Sequence, residues 1–361
     1  MKEASFACRA RTASLIVGVA LVAACSAAPA RRAAGARPEP SAPPPAHVEP
    51  DASIVSEPAE VAGAATPPAP REARPPFAPQ DVGAITPSAA ARADDGRWTP
   101  VSLPNEGDEG AVLYRTLLHP DATRAADLYI VAVDLGRVGL RAVAGVSEPV
   151  ATTSAGKRAP RPALIPAEDR PALLAAFNGG WRSEHGHYGM KVDGVLLVPP
   201  SEASCTVAGY DDETLRIGPW KALAADEPRL RFLRQTPPCL STGGTRHPAL
   251  AAEMTTSWGA SEQGDPLIRR SALGLSQDRT VLFFGLGNTL TARALADGMH
   301  HAGAIDVAEL DVNWSYPKLL VFRPNGAGVL EASSLFPGFV FEKSEYVRRR
   351  ADRDFFYLIR R

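Results

Sequence analysis

The chain has 361 residues, and 39 Lys and Arg against 40 Asp and Glu leave a formal net charge of −1. A balance this even gives no basic footprint and argues against nucleic acid as a partner. The length allows one large domain with a substantial core beside segments that never enter it.

Residues 1–25 read as an export signal. Lys2, Arg9 and Arg11 precede an apolar run over 15–21 that is too short to span a bilayer as a stable helix and ends in small residues. Val22-Ala23-Ala24-Cys25 resembles a bacterial lipobox, in which the cysteine carries lipid and becomes the mature N-terminus. Ser26 follows, and by resemblance to Gram-negative lipoproteins that places the anchor in the outer membrane of the cell envelope. A soluble secreted protein cut nearby is the alternative. From Ser26 to about Arg92 the composition collapses to Ala, Pro and scattered charges. It lacks the branched and aromatic side chains that offset the entropy of ordering. Residues 26–97 are therefore expected to form a disordered, proline-extended tether.

The globular part is expected over 98–361, as a single α+β domain with a mixed β-sheet and few helices. Strands at 112–118, 128–135 and 138–143 read as an antiparallel meander, followed by a loop over 149–170. Of four cysteines, Cys8 leaves with the signal and Cys25 would carry lipid, so Cys205 and Cys239 remain. In an oxidising compartment the leading reading is a disulfide between them, with a metal pair or two free thiols as alternatives.

Two stretches draw attention. The apolar run Leu173-Leu174-Ala175-Ala176-Phe177 halts at Asn178-Gly179-Gly180-Trp181, where glycines allow close approach of a ligand. The loop after it holds Glu184, His185 and His187, but two histidines at i, i+2 do not match the i, i+4 spacing of a catalytic zinc helix. No metal or other cofactor is expected. Met190 to Val198 reads as a hairpin with an Asp193-Gly194 turn. Farther on, 280–286 is a buried strand and Thr289 is expected to cap a helix ending at Gly303. The helix leads into the second stretch, 307–315. A crossover of this length lays the two strands parallel in one sheet. Read at a period of two, 307–315 puts Leu310, Val312 and Trp314 on a core face and Glu309, Asp311, Asn313 and Ser315 on a polar one. Strands at 318–322 and 355–359 complete the sheet.

The order of these motifs resembles the phosphodiester glycosidase family, which includes the lysosomal enzyme that uncovers phosphodiester-linked mannose. The matching pieces are Ala176 to Trp181, Gly189 to Gly194, Arg270 to Gly274, Gly287 to Leu290 and Glu309-Leu310-Asp311. They span roughly Tyr114 to Phe341. Where that family commonly reads Leu-Asp-Gly-Gly-Gly-Ser, this chain has Leu310-Asp311-Val312-Asn313-Trp314-Ser315.

The resemblance implies hydrolysis of a sugar-1-phosphate diester in a glycan or polysaccharide. Such chemistry needs a grip on the phosphate and a carboxyl group at the reacting bond. Arg270 is the candidate for the phosphate, since guanidinium matches its oxygens two at a time. Asp311 is the candidate acid or base, with Glu309 and Glu184 as possible second carboxylates. Asn178 and Asn313 would orient hydroxyl or phosphate oxygens, aided by the Gly179 turn and Ser315. The rival reading is a tethered, non-catalytic glycan-binding domain, in which Trp181, Tyr188 and Trp314 stack on sugars, although the alternation puts Trp314 in the core. A metal-dependent hydrolase through His185 and His187 is a third.

Overall fold

In chain order the strands enter three sheets in blocks: the second sheet is built from consecutive strands between residues 190 and 236, while the first and third each join two separate parts of the sequence. The computed structural model describes residues 76–104 and 110–361. The export signal, Cys25 and the tether as far as residue 75 lie outside the described residues. Among the described residues no helix is long and apolar enough to cross a membrane.

The first sheet runs, strand by neighbouring strand, Thr99–Pro100, Leu113–Leu118, Leu128–Asp134, Val281–Leu290, Ile268–Leu275, Asp306–Glu309, Ser241–Thr242 and Thr245–Arg246. The second runs Val195–Val198, Met190–Val192, Leu230–Thr236, Cys205–Tyr210 and Leu215–Pro219. The third runs Leu330–Ser334, Leu319–Pro324, Leu173–Asn178, Phe355–Arg360 and Val138–Val143. The class is α+β, sheet-rich with few helices, as expected. The crossover does send 281–290 and 306–309 in the same direction. Ile268–Leu275 lies between them, antiparallel to both.

The expected meander divides. Leu113–Leu118 and Leu128–Asp134 pair in the first sheet, but Val138–Val143 leaves to pair with Phe355–Arg360 in the third. At the point of departure the Asp134 carboxylate accepts from the Gly136 amide at 2.9 Å and from Arg137 Nε at 2.6 Å, which fixes the turn. The Asp193-Gly194 hairpin forms with both residues at positive φ, 50° and 75°. This is the twist that a two-residue hairpin needs. Within the expected loop over 149–170, Thr153 accepts from the Gly156 amide at 2.9 Å and caps the short helix Ser154–Arg158.

All three sheets contribute to one core. Phe177 of the third sheet packs on Phe284 of the first with ring centroids 4.7 Å apart, and Phe356 bridges to Phe232 of the second at 6.0 Å. The helix Ala292–His301 covers the opposite face of the first sheet through Leu295 and Met299. Its cap is Thr291, whose hydroxyl accepts from the Ala294 amide at 3.0 Å, not Thr289. The preceding strand runs on through Leu290 before the helix starts. Gly303 follows the helix at φ 109°, as its position suggested.

The domain begins earlier than residue 98. Phe77, Val82 and Ile85 pack against the helix-side core, the Trp98 amide donates to Asp81 Oδ1 at 2.7 Å, and the Val82 amide donates to Gly96 O at 3.1 Å. Residues 76–97 belong to the fold. A few apolar side chains spaced along a proline-rich segment were enough to seat it. Cys205 and Cys239 form the expected disulfide, with Cα atoms 4.7 Å apart.

Candidate active site

The strand Leu173–Asn178, hydrogen-bonded on both sides, ends where Asn178 turns inward. Asn178 Nδ2 donates to Ser271 Oγ at 2.8 Å, and Ser271 Oγ donates to the Asp311 carbonyl at 2.9 Å. Asn178 Oδ1 accepts from the Lys318 amide at 3.2 Å. The Asp311 amide in turn donates to Gly179 O at 3.1 Å. Asn178, Gly179 and Asp311 are thus brought together, with Ser271 as the link between them.

The polar strand expected over 307–315 stops at Glu309. Beyond it the backbone is held by side chains. Asp311 Oδ1 accepts from the Asn313 amide at 2.6 Å, and Asn313 Oδ1 accepts from the Ser315 amide at 3.2 Å and the Ser315 hydroxyl at 3.0 Å. Successive short polar side chains that bond two residues ahead favour turns over strand pairing. Because the alternation ends, Trp314 does not enter the core. It is 64% exposed, with the Arg269 guanidinium 4.0 Å from its ring centroid and Phe339 on that guanidinium at 4.5 Å.

Asp311 is buried and ion-paired with Arg353, whose guanidinium also lies 4.4 Å from the Tyr316 ring centroid. Burial pushes the Asp311 carboxyl up to about 6, against the opposing pull of Arg353 and the Asn313 amide. Arg353 Nε is buried with no hydrogen-bond partner among the described residues. A carboxyl that exchanges its proton near neutral pH beside an incompletely satisfied guanidinium is equipped for proton transfer next to an anion.

Arg270 does not serve as the phosphate grip. Its Nε donates to Leu290 O, Nη1 to Trp258 O and Glu309 Oε1, and Nη2 to Gly259 O and Pro266 O, at 2.6 to 3.2 Å. All five N–H groups are engaged, so none is left to present to phosphate. Glu309, its wholly buried partner, is likewise a structural group. Burial drives its carboxyl up to about 8, and among the described residues Oε2 has no hydrogen-bond partner.

Gly179 and Gly180 make room for protein, not for a ligand. A Cβ on Gly179 would overlap the Asp354 carboxylate, and one on Gly180 would lie 2.7 Å from Arg234 Cζ. Asp354 and Arg234 form a buried pair at 2.8 Å that also accepts from the Gly180 amide and donates to the Trp181 carbonyl. Trp181 is half-buried, and its Nε1 donates to Leu310 O at 2.7 Å, tying the turn to the Asp311 loop. Glu184 faces solvent, paired with Arg182 at 2.9 Å and His185 at 3.5 Å, and shares no hydrogen bond or ion pair with Asp311. Among the described residues no group of three or more His, Cys, Asp or Glu is placed to hold a metal ion.

Arg353, Asp354 and Arg234 were not singled out from the sequence. Arg353 and Asp354 sit in a run of charges from Arg348 onward that reads as a solvated face, and Arg234 lies mid-strand with no motif around it. The one available signal is a charged residue, Arg234, inside an apolar strand pattern, since a buried charge requires a partner.

No family model matches the chain, and no curated protein sequence does. Among solved structures, a hypothetical protein from Synechocystis aligns over 75% of this chain and 65% of its own length, at 12% identity and a TM-score of 0.42. A chain from Burkholderia pseudomallei titled "Putative exported protein" aligns over 66% of this chain and 75% of its own, at 10% identity and a TM-score of 0.32. The first alignment thus covers just under two thirds of that protein. Likenesses at this level carry no argument about function.

Proposed function

We propose that the chain is a hydrolase of glycan phosphodiester linkages working at Asp311. The observation that carries this reading is the buried Asp311 carboxyl, raised to about 6, in contact with the incompletely partnered Arg353. Arg353 is the more exposed of the two, at 12% against 3%, so an incoming phosphodiester meets the guanidinium first. In this reading Arg353 takes the role first given to Arg270 and offsets charge on the phosphoryl oxygens. Asp311, released from its ion pair as the carboxylate, takes a proton from the attacking water, and that proton passes on to the leaving oxygen. Asn313 and Ser315, exposed at the same loop, orient sugar hydroxyls.

The second reading, a glycan-binding domain without turnover, draws on Trp314, whose exposed ring is backed by Arg269. One screen separates them. Glycan-1-phosphate diesters are offered to the wild type and to Asp311→Asn, with folding checked by circular dichroism. Turnover by the wild type alone supports hydrolysis. Equal binding by both without turnover supports the binding domain, and neither binding nor turnover removes both.

The same proposal places the protein on the bacterial envelope, lipid-anchored at Cys25 and held off the outer membrane by the Ala/Pro tether. Mass spectrometry of the mature protein should find a diacylated or triacylated Cys25 at its N-terminus. An unmodified N-terminus farther along would overturn the anchor.

A further inference from the structure

A cavity of about 530 Å³ opens at the Leu173 end of the strand whose other end is Asn178. Five residues at about 3.3 Å each put the two ends roughly 17 Å apart, so this cavity is separate from the Asp311 site. Its apolar wall is Leu173, Leu174, Phe322, Val329, Leu330 and Val347. Val329, at 41% exposure, is among the larger apolar side chains left open to solvent.

Three arginines also line it, Arg170, Arg348 and Arg360, and no described lining residue is acidic. Arg170 Nε donates to the Ile165 carbonyl at 3.1 Å, and Arg348 Nη1 to the Leu330 carbonyl at 2.6 Å. Among the described residues the buried Arg360 Nη2 has no hydrogen-bond partner. None of the three is, among the described residues, ion-paired or hydrogen-bonded to a carboxylate, although Glu331 lies within electrostatic reach of Arg348, whereas Arg141, Arg234, Arg270 and Arg353 all have such a partner.

Three guanidinium groups in one partly enclosed space repel one another unless an anion joins them, and a buried N–H without an acceptor is costly. Guanidinium is suited to carboxylate and phosphate oxygens. A small hydrated anion would answer the charge but leave the apolar wall wet. An anionic head on an apolar body meets both demands, and the volume lies within the usual range of about 300–1,000 Å³ for small-molecule sites. We infer that this cavity binds an amphipathic anion, an alkyl or acyl chain ending in a carboxylate or phosphate, with the head among Arg170, Arg348 and Arg360.

The test is calorimetric titration of the whole protein with decanoate and decyl phosphate below their micellar concentrations. Inorganic phosphate, decyltrimethylammonium and decyl maltoside are the controls. Saturable one-to-one binding of at least one anionic amphiphile, at least tenfold tighter than every control, is expected, and the tighter of the two names the head group. Arg360→Gln should weaken binding at least tenfold. Arg348→Gln reads the same contact should Arg360→Gln fail to fold, and Asp311→Asn should leave binding unchanged. Equal binding of the cationic or neutral amphiphile, or of inorganic phosphate, would overturn the inference, as would indifference to both arginine substitutions. Glu106, Asp108 and Glu109 follow the lining residue Pro104 in sequence. If decanoate and decyl phosphate bind only when these three are changed to Gln, Asn and Gln, the chain's own carboxylates are the counter-charge and the inference falls.

Discussion

The amide of Asp311 donates to the carbonyl of Gly179 at 3.1 Å, so the loop carrying the buried carboxyl is fastened directly to the turn after Asn178. The side chain of Asp311 is therefore positioned by the backbone of a different sheet, and it has little room to escape the burial that raises its proton affinity.

That affinity has a consequence for stability. In the unfolded chain an aspartate titrates near about 3.9, whereas in the fold Asp311 titrates at about 6. Because the folded value is the higher, its contribution is fully present below about pH 4 and is lost as the pH rises through 6. Asn cannot titrate. Between pH 4 and pH 7 the wild type should therefore lose up to about 3 kcal/mol relative to Asp311→Asn. Glu309 is retained in both proteins and largely cancels. Urea denaturation of both at pH 4, 5.5 and 7 measures the gap, and a gap that stays constant would refute the raised value.

The Arg270 cluster predicts a contrast between two mild substitutions. Lysine offers at most three donors to the five acceptors that Arg270 serves, so Arg270→Lys should cost about 3–5 kcal/mol. Glu309→Gln should cost much less, about 1 kcal/mol, because an amide resembles the protonated acid that burial favours at this position. Equal losses from the two at pH 7 would mean that Glu309 is fully ionised in the fold.

With Cys205 and Cys239 both buried and bonded, native unreduced protein should resist alkylation at either position. The bond closes a loop with a sequence separation of 34. Replacing both cysteines by alanine should cost roughly 3–4 kcal/mol in the chain-entropy description, read as a lower urea midpoint.

Residues 76–97 are expected to carry stability of their own. Phe77 meets Tyr114 edge-on at 5.6 Å, and the Asp81 carboxylate holds the Trp98 amide at 2.7 Å. A chain starting at residue 98 should melt well below one starting at residue 76, and Asp81→Ala should cost about 1–2 kcal/mol. Identical midpoints for the two truncations would return this segment to the tether.

Much of the fold was legible because its signals are local. Apolar runs, the Asp193-Gly194 turn, the helix period and Gly303 placed most strands and the helix between 281–290 and 306–309. Two local readings failed for local reasons. Thr289 and Thr291 both precede the helix, and only tertiary pairing of Leu290 with Ile268 selects the second as the cap. Alternation carried the reading of 307–315 past Glu309, since Asp311, Asn313 and Ser315 fit a strand face as well as they fit consecutive side-chain-bonded turns. The candidate site was half legible. Asn178 and Asp311 meet, but the choice between Arg270 and Arg353 rests on which guanidinium has its donors occupied by carbonyls 4 to 20 residues away in sequence and a carboxylate 39 residues away. No spacing rule encodes that. The partners of Gly179 and Gly180 were hidden for the same reason, since a glycine that admits a ligand and one that admits Asp354 are identical in sequence.

The strand Phe355–Arg360 is last in the chain but lies inside its sheet, between Leu173–Asn178 and Val138–Val143, and Arg353 and Asp354 stand just before it. During synthesis these residues emerge after every other part of the site. Until they arrive, Val138–Val143 has no partner strand in the third sheet, Asp311 lacks its Arg353 ion pair and the Asn178 turn has no Asp354 beneath it. A polypeptide stopped ten residues early would carry nearly every residue that the sequence made conspicuous and would still lack the Arg353 and Asp354 side chains that hold Asp311 and the Asn178 turn. The arrangement around Asp311 thus depends on residues that carry no motif and are made after all those that do.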